Sequence, residues 1–361
     1  MSAGGAGPGL LDRYDLLLFD LDGVLYVGDR AVPGAPEVLP DLRQRGVPVR
    51  YVTNNASRGA AAVAGLLSDL GIPASPEQVV TSAQAAARLL AERLPTGEPV
   101  LVVGADALAH EIDSVGLRAL PAGEQVLPGY GSGAAAPTGS ESPRAVVQGY
   151  GPDVGWRELA QATVAIQRGA LWIATNADRT LPSPYGALPG NGALVAAVSV
   201  ATGRDPDVVV GKPAPELFQT AVRGAGARRP LVIGDRLDTD IEGAVRAGYP
   251  SVLVLTGVAK PADAWRAPEG QRPTYLAADL AGLAEPYPVR IAGNAAAECG
   301  GWTARHEGES WSLDGSGTPL DALRALCAAR WSGPAGTTEQ IVGRTPAASS
   351  ALTELGLPLA G

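Results

Sequence analysis

The stretch Leu16-Leu17-Leu18-Phe19-Asp20-Leu21-Asp22-Gly23 decides the fold, because a short apolar run stops abruptly at two acids and a glycine. Such a run is typical of a buried strand, and in parallel α/β sheets ligands bind at the carboxyl ends of the strands. Two carboxylates two residues apart are costly to bury unless a cation or a proton offsets their charge. We therefore predict a functional site at the end of this strand.

The composition narrows the class of protein and its partners. A chain of 361 residues with 46% apolar content can form two or three domains with large cores. Its net charge of −9 would repel a phosphate polymer, so we expect no nucleic acid partner. No apolar run approaches the roughly 18 residues of a membrane span, and Met1–Gly9 has no secretory-signal pattern. We expect a cytoplasmic protein that does not bind membranes.

The cysteines and histidines argue against several kinds of site. Cys299 and Cys327 form no disulfide framework, and no Cys/His spacing fits a zinc site. His110 and His306 lie far in sequence from the motifs described below. We therefore expect neither zinc chemistry nor histidine-based catalysis.

Strand and helix patterns alternate from about residue 14 to about residue 284, which predicts an α/β protein with a doubly wound, Rossmann-like parallel sheet. The predicted strands are Leu16–Phe19, Val47–Val52, Val100–Val103, Ala145–Val147, Leu171–Ala174, Val208–Val210, Leu231–Ile233 and Val252–Leu255. The predicted helices are Pro36–Arg45, Arg58–Leu70, Trp156–Arg168, Ala193–Thr202, Ala214–Arg223 and Asp240–Ala247. The composition of Pro121–Pro143 predicts a loop, and residues 286–361 are expected to form a separate small α+β module.

Four segments carry residues suited to chemistry, and they lie directly after predicted strands. They are Asp20-Leu21-Asp22-Gly23, Thr53-Asn54-Asn55, Gly211-Lys212-Pro213 and Gly234-Asp235-Arg236-Leu237-Asp238-Thr239-Asp240. Strand ends of a doubly wound sheet converge, so we predict one crevice holding carboxylates, a lysine and neutral donors.

This set of side chains is suited to a metal-assisted reaction of a phosphate. Asp20, Asp235 and a backbone carbonyl provide the oxygen ligands that Mg²⁺ prefers. Lys212 supplies a compact positive charge, and a carboxylate beside a phosphorus atom can act as a nucleophile. Asp22 is placed to protonate a leaving alcohol and then to activate water.

Each segment taken alone has a simpler explanation. Asp20-Leu21-Asp22-Gly23 could be a turn or part of a calcium loop, although Val24, Leu25 and Tyr26 lack the acids that such a loop needs. The second and third segments could be turns, and Asp240 could cap a helix. The ordered combination is what indicates function.

That combination resembles the haloacid dehalogenase superfamily of phosphohydrolases over roughly residues 14–284. The resemblance implies a Mg²⁺-dependent phosphatase that forms an aspartyl-phosphate. By this resemblance Asp20 is the nucleophile, and Asp22 is the general acid/base whose carbonyl also binds the metal. Thr53 and Lys212 bind the phosphoryl group. The side chain of Asp235 binds the metal, and Asp240 has an outer-shell role. The residues expected to bind the substrate are Gly23, Asn54, Asn55, Lys212, Asn176 and Asp178.

The long separation between Thr53 and Lys212 predicts an inserted domain, because a single crossover helix needs far fewer residues. This resembles the branch of NagD-type, phosphoglycolate and pyridoxal phosphatases, as does the run Ala174-Thr175-Asn176-Ala177-Asp178. It implies a core over residues 1–82 and 186–285, an α/β cap over 83–185 that reads the leaving group, and a homodimer formed through the cap.

The C-terminal residues 286–361 resemble the acetyltransferase-like tail of actinobacterial glycerol 3-phosphate phosphatases. The shared features are Gly301-Trp302-Thr303-Ala304, Asp321-Ala322-Leu323-Arg324-Ala325-Leu326 and Trp331. The implied reaction is hydrolysis of glycerol 3-phosphate to glycerol and phosphate. The alternatives are another small metabolite, such as 2-phosphoglycolate, a sugar phosphate or pyridoxal phosphate.

Three other functions are alternatives to a phosphatase. Arg290-Ile291-Ala292-Gly293-Asn294-Ala295 loosely fits a coenzyme A pyrophosphate loop, which would give the tail a coenzyme A-binding or acetyltransferase role. Gly129-Tyr130-Gly131-Ser132-Gly133 does not lie between a strand and a helix, so it fails as a nucleotide-binding loop. A phospho-accepting receiver domain would lack both the inserted cap and the Asp-x-Asp spacing.

Overall fold

The computed structural model describes residues 9–123, 142–181, 185–333 and 339–358. The chain divides into two compact units. The first unit comprises Met1–Val49 and Ala227–Gly361, and the second comprises Arg50–Gly226. Most of the predicted loop Pro121–Pro143 lies outside the described residues. The core, cap and tail boundaries inferred from the sequence remain a prediction.

The elements of the described residues are as follows. The strands are β1 (Leu16–Phe19), β2 (Tyr26–Val27), β3 (Arg30–Ala31), β4 (Val49–Thr53), β5 (Val79–Thr81), β6 (Pro99–Val103), β7 (Arg118–Pro121), β8 (Ala145–Gln148), β9 (Leu171–Ala174), β10 (Thr180–Leu181), β11 (Leu188–Pro189), β12 (Val208–Val209), β13 (Pro230–Gly234), β14 (Ser251–Val254), β15 (Tyr275–Ala277), β16 (Arg290–Gly293), β17 (Ala296–Cys299), β18 (Trp302–Glu307), β19 (Ser310–Gly315) and β20 (Ile341–Gly343). The helices are α1 (Ala35–Gln44), α2 (Ala60–Asp69), α3 (Ser82–Arg93), α4 (Asp106–Ser114), α5 (Trp156–Gln167), α6 (Asn191–Thr202), α7 (Glu216–Ala225), α8 (Glu242–Ala247), α9 (Pro261–Arg266), α10 (Pro319–Ser332) and α11 (Pro346–Glu354).

The first unit contains β1, the apolar strand that precedes Asp20. Its parallel strands run in the order β15-β14-β13-β1, and Leu16 pairs with Pro230 at the start of the β1–β13 ladder. All four residues of β1 are buried, as expected for a strand covered on both faces. The α/β fold class is therefore confirmed, and β1 has the predicted bounds.

The second unit contains a five-stranded parallel sheet in the order β12-β9-β8-β6-β7. Its core packs Trp172 of β9 against apolar residues of α5 and α6, including Ile166 and Val198. Strand β4 pairs in parallel with β5 in this unit. In the same unit, β10 and β11 pair as a short antiparallel ladder.

The C-terminal residues of the first unit form a separate sheet with its own helices. Strands β16 to β19 are antiparallel, and β20 pairs in parallel with β19. A single apolar cluster joins this module to α9 and to strands β14 and β15. Within it, the rings of Trp265 and Trp311 meet edge to face at 5.6 Å. The sequence indicated little periodicity at the end of the chain, yet α11 is present because a narrow stripe of Ala348, Ala351 and Leu352 is enough to bury it.

One predicted boundary is wrong for a reason that matters to the site. The sequence predicted a helix from Asp240, but α8 begins at Glu242 after a wider turn over Leu237–Ile241. In that turn the N–H of Ile241 donates to the carbonyl of Arg236, five residues earlier. The turn lies where a helix was expected, and it carries Asp240. No helix in the described ranges is long and apolar enough to cross a membrane.

Candidate active site

The first group of site residues is an acidic cluster in the first unit. One carboxylate oxygen each of Asp20, Asp235 and Asp240 lies within 4.8 Å of the other two. Asp20 directly follows β1, and its N–H still donates to the carbonyl of Ile233 in β13 at 2.9 Å. Because this bond continues the ladder past the last strand residue, Asp20 is held at the end of the sheet.

Asp235 is fully buried in a cradle of backbone. Its Oδ2 accepts a hydrogen bond from the N–H of Val258 at 2.7 Å, and its carbonyl accepts one from the N–H of Ala259 at 3.0 Å. A Cβ added at Gly257 would overlap the carboxylate of Asp235. The loop after β14 therefore fits closely around this acid.

Gly23 closes the cradle from the other side. It has a φ of 80°, a conformation that strains residues with a side chain, and a Cβ there would also overlap the Asp235 carboxylate. Its carbonyl accepts a hydrogen bond from Thr256 Oγ1 at 2.7 Å. The glycine that ends the opening motif is therefore required both by the turn and by the close approach of Asp235.

Asp240 is fully buried and is fixed by its own turn. Its Oδ2 accepts a hydrogen bond from the N–H of Arg236 at 3.1 Å. Nearby, Arg236 forms a bidentate ion pair with Asp238, which holds the pKa of that carboxyl below its usual range. The Asp238 side chain is 60% exposed in this pair.

The acidic cluster fits a hard cation. Three carboxylates that approach this closely, two of them fully buried, repel one another unless positive charge lies among them. Oxygen donors alone are the set that Mg²⁺ and Ca²⁺ prefer. The cluster includes Asp240, for which only an outer-shell role was expected. It does not include the side chain of Asp22, which was expected to contribute a carbonyl.

Asp22 is not part of this cluster and is exposed. Asp22 lies in a tight turn. In this turn the N–H of Gly23 donates to the carbonyl of Tyr26, and the N–H of Leu25 donates to the carbonyl of Leu21, each at 2.8 Å. An exposed carboxyl on a rigid turn can exchange protons with a substrate or with water.

The second group of site residues lies in the second unit and centres on Asn54 and Lys212. Asn54 follows β4, and its Oδ1 accepts a hydrogen bond from the N–H of Lys212 at 2.8 Å. Its Nδ2 donates to the carbonyl of Lys212 at 3.1 Å and to the carboxylate of Asp178 at 3.2 and 3.3 Å. Lys212 is only 4% exposed. The structure thus brings together residues that are 124 to 158 positions apart in sequence.

Thr53 and Asn55 organise the turn that follows β4. Thr53 is buried, and its Oγ1 accepts a hydrogen bond from the N–H of Asn55 at 3.1 Å. Asn55 Oδ1 in turn accepts hydrogen bonds from the N–H and the Oγ of Ser57, both at 2.8 Å. The side chain of Asn55 therefore stabilises its own loop.

Sequence reasoning missed the polar residues Ser82, Asn191 and Gln148, which support Asn54 and its partner Asn176. Asn176 Nδ2 donates to the carbonyl of Asn54 at 2.7 Å, as does Ser82 Oγ at 2.5 Å. Fully buried Asn191 donates to the carbonyl of Asn176 at 2.7 Å and to that of Gln148 at 3.3 Å. The sequence offered one hint of this network: an amide residue, Gln148, directly follows the apolar run Ala145–Val147.

The segments behind the alternative functions do not gain support. Arg290–Gly293 forms the exposed strand β16, where Arg290 pairs with Glu298 of the neighbouring strand. A pyrophosphate-binding loop is expected at the start of a helix, where free N–H groups converge. Gly129-Tyr130-Gly131-Ser132-Gly133 lies outside the described residues.

Comparisons with known proteins agree with this geometry. Residues 17–118 match the family model for haloacid dehalogenase-like hydrolases, and residues 209–283 match a second, HAD-hydrolase-like model. Residues 299–357 match a model for a GCN5-related N-acetyltransferase like domain. The tail is therefore similar to acetyltransferases, as the sequence suggested.

The similarity to characterised proteins extends along most of the chain. D-glycerol 3-phosphate phosphatase of Mycobacterium tuberculosis is 43% identical over 342 residues, covering 92% of this chain and 90% of that protein. Glycerol-3-phosphate phosphatase of Homo sapiens is 40% identical over 263 residues, covering 69% and 81%. A crystal structure of glycerol phosphate phosphatase from M. tuberculosis in complex with magnesium has a TM-score of 0.85 and 42% identity, covering 96% of this chain and 99% of that one. The chain therefore belongs to the haloacid dehalogenase-like hydrolases.

Proposed function

We propose that this protein is a Mg²⁺-dependent phosphatase that hydrolyses glycerol 3-phosphate to glycerol and phosphate. The acidic cluster of Asp20, Asp235 and Asp240 is the observation that carries the proposal, because it provides a carboxylate nucleophile beside a cation site. Family membership supports the reaction class, and the names of the similar phosphatases support the substrate.

The carboxylates of Asp20 and Asp235 and the carbonyl of Asp22 would hold Mg²⁺, and Asp240 would either bind it directly or orient its waters. Bound Mg²⁺ would offset the negative charge of the phosphoryl oxygens as the nucleophile approaches. The burial of Asp235 and Asp240 supports this assignment, since a buried carboxylate pair needs a compensating cation.

The chain's own carboxylates perform the two chemical steps. Asp20 attacks phosphorus, and the bond between phosphorus and the glycerol oxygen breaks while Asp22 gives that oxygen a proton. Asp22 then takes a proton from water, which attacks the phosphorus of the aspartyl-phosphate. Phosphate leaves, and the carboxylate of Asp20 is restored.

Phosphate binding is assigned to the Thr53 hydroxyl and the Lys212 ammonium, because the N–H groups of Gly23 and Asn55 already donate to Tyr26 and Thr53. A lysine is a compact charge that suits phosphoryl oxygens, and Lys212 is one of only two lysines in the chain. The residues of the predicted cap would then select the leaving group. A homodimer and a cytoplasmic location remain part of the proposal.

Release of inorganic phosphate from a panel of phosphate monoesters tests the proposal directly. We expect glycerol 3-phosphate to give the highest kcat/KM, ahead of 2-phosphoglycolate, sugar phosphates and pyridoxal phosphate. EDTA should abolish turnover, and added Mg²⁺ should restore it. Turnover that survives exhaustive chelation would rule out the metal-dependent mechanism, and a strong preference for another ester would reject the substrate.

A further inference from the structure

The Asn54 carboxamide is fully occupied by other groups of the protein. A carboxamide has two N–H donors and one carbonyl acceptor. In Asn54 the two donors are used by the carbonyl of Lys212 and the carboxylate of Asp178, and the acceptor binds the N–H of Lys212. Neither donor remains available for a phosphoryl oxygen, although the sequence had suggested a substrate-binding role for this residue.

The two bonds to Lys212 hold both polar groups of its main chain. Such a two-point contact fixes the position and the orientation of the backbone, which a single hydrogen bond would leave free to pivot. The neighbouring Gly211 packs closely as well, since a Cβ there would lie 2.6 Å from the carbonyl oxygen of Thr175 and 2.8 Å from Asn54 Oδ1. The main chain at Gly211 and Lys212 is therefore held tightly.

Asn54 is itself fixed by a buried network of amides. Its carbonyl receives hydrogen bonds from Asn176 and Ser82, and Asn176 is held in turn by fully buried Asn191. Asp178 completes the arrangement, because its N–H donates to Asn176 Oδ1 at 3.1 Å while its carboxylate binds Asn54. Buried polar networks that are satisfied in this way are rigid.

We propose that Asn54 and Asp178 are positioning residues that hold the main chain of Lys212 so that its ammonium meets the phosphoryl group. This inference rests on the proposed function, in which Lys212 binds phosphate. It replaces the substrate-binding roles that the sequence suggested for Asn54, Asn176 and Asp178.

The inference can be tested by exchanging donor and acceptor in the hydrogen bond between residues 54 and 178. Asn54→Asp has nearly the same shape, but it removes both donors and places a carboxylate against the carboxylate of Asp178 and the carbonyl of Lys212. We expect this variant to raise the inhibition constant of inorganic phosphate and the KM at least about tenfold, a loss of the size expected for one charge-assisted hydrogen bond. Asn54→Asp/Asp178→Asn restores a donor–acceptor pair between the two side chains with the donor on residue 178. We expect it to recover part of the phosphate affinity, because the donor to the Lys212 carbonyl is still missing.

The controls separate positioning from loss of structure. Gln167→Glu adds the same charge to an exposed residue of α5 and should leave phosphate affinity unchanged. Thermal unfolding shows which variants fold; should Asn54→Asp not fold, Asp178→Ala removes one anchor of Asn54 and should weaken phosphate binding in the same direction.

The outcomes distinguish this inference from the proposed function. Wild-type protein that releases no phosphate from any ester would reject the proposed function. Active wild-type protein together with a folded Asn54→Asp variant of unchanged phosphate affinity would reject the inference alone. A folded double variant that is no better than Asn54→Asp would also reject it, since the bond between the two side chains would then not matter.

Discussion

Asp235 and Val258 are joined by a hydrogen bond of 2.7 Å from the Val258 N–H to the carboxylate Oδ2, which ties the loop after β14 to the acidic cluster. A charge-assisted bond of this kind is about twice as strong as a neutral one. The loop therefore fixes the direction in which Asp235 presents its second oxygen, and a change in the loop should alter the affinity for the metal.

Gly257→Ala tests this relationship. The added methyl group would overlap the Asp235 carboxylate, so the acid or the loop must move. We expect the Mg²⁺ concentration for half-maximal activity to rise at least about tenfold, the equivalent of losing about 1.4 kcal/mol of binding free energy. Mg²⁺-induced stabilisation measured by thermal unfolding should weaken in parallel.

Gly270→Ala is the matched control, because a methyl group there meets no atom within 4 Å. It should leave the Mg²⁺ dependence at the wild-type value. An unchanged Mg²⁺ dependence in Gly257→Ala would show that the loop does not position the acid.

The two carboxyls of the opening motif should separate the two chemical steps. Asp20→Asn removes the nucleophile with little change of shape, so kcat should fall at least about a thousandfold. Asp22→Asn removes the proton donor and should lower kcat about 10²- to 10⁴-fold. With p-nitrophenyl phosphate, whose leaving group needs no protonation, Asp22→Asn should still accumulate the covalent phospho-enzyme.

Mass spectrometry of quenched reactions detects that adduct, and Asp29→Asn serves as the control because the Asp29 side chain is 96% exposed. The control should retain wild-type turnover. Near-normal activity of Asp20→Asn would contradict the nucleophile assignment.

The sequence indicated the strand-ending motifs because each follows a short, mainly apolar run. The run Leu16–Phe19 has the same bounds in the structure, and Asp20, which directly follows it, joins the acidic cluster. The cradle of Asp235 could not be predicted, since Gly257 and Val258 lie in a loop without periodicity and reach the acid only through tertiary folding.

Asn54 shows a second limit of sequence reasoning. Its residue type and its place after a strand indicated a group that binds substrate. Its real partners, Asp178 and Lys212, are 124 and 158 residues away, and no local pattern reports hydrogen bonds over such distances. The sequence could therefore not show whether the donors of Asn54 face a ligand or the protein.

The C-terminal module should be essential for the stability of the first unit. Trp311 is fully buried and packs against Trp265 of α9, within an apolar cluster that the module shares with Ile241, Leu253 and Leu276. Trp311→Ala would leave a large cavity, so we expect the free energy of unfolding to fall by about 3–5 kcal/mol in denaturant titrations.

Trp156→Ala is the matched control, since Trp156 is 67% exposed, and it should cost far less stability. Removal of residues 286–361 would expose the apolar face of α9, and the shortened chain should aggregate in gel filtration. A soluble, cooperatively folded truncation would show that the shared cluster is not needed.

The two thiols should be unreactive in the folded protein. Burial, together with a hydrogen bond to Asp321, raises the pKa of Cys299 to about 12, and burial raises the pKa of Cys327 even further. The thiolate is the reactive form, so at pH 8 its population is very small. Ellman's reagent should therefore modify neither thiol in native protein, whereas both should react in guanidinium chloride.

The same shifts give a direction for alkaline stability. A thiol whose pKa is higher in the folded state favours folding below its unfolded value near 9, and this contribution is lost as the pH rises towards 12. The unfolding midpoint should therefore decrease above pH 9, and Cys299→Ser should reduce that decrease because serine does not titrate there. Rapid modification of native Cys299 at pH 8 would contradict the burial on which this prediction depends.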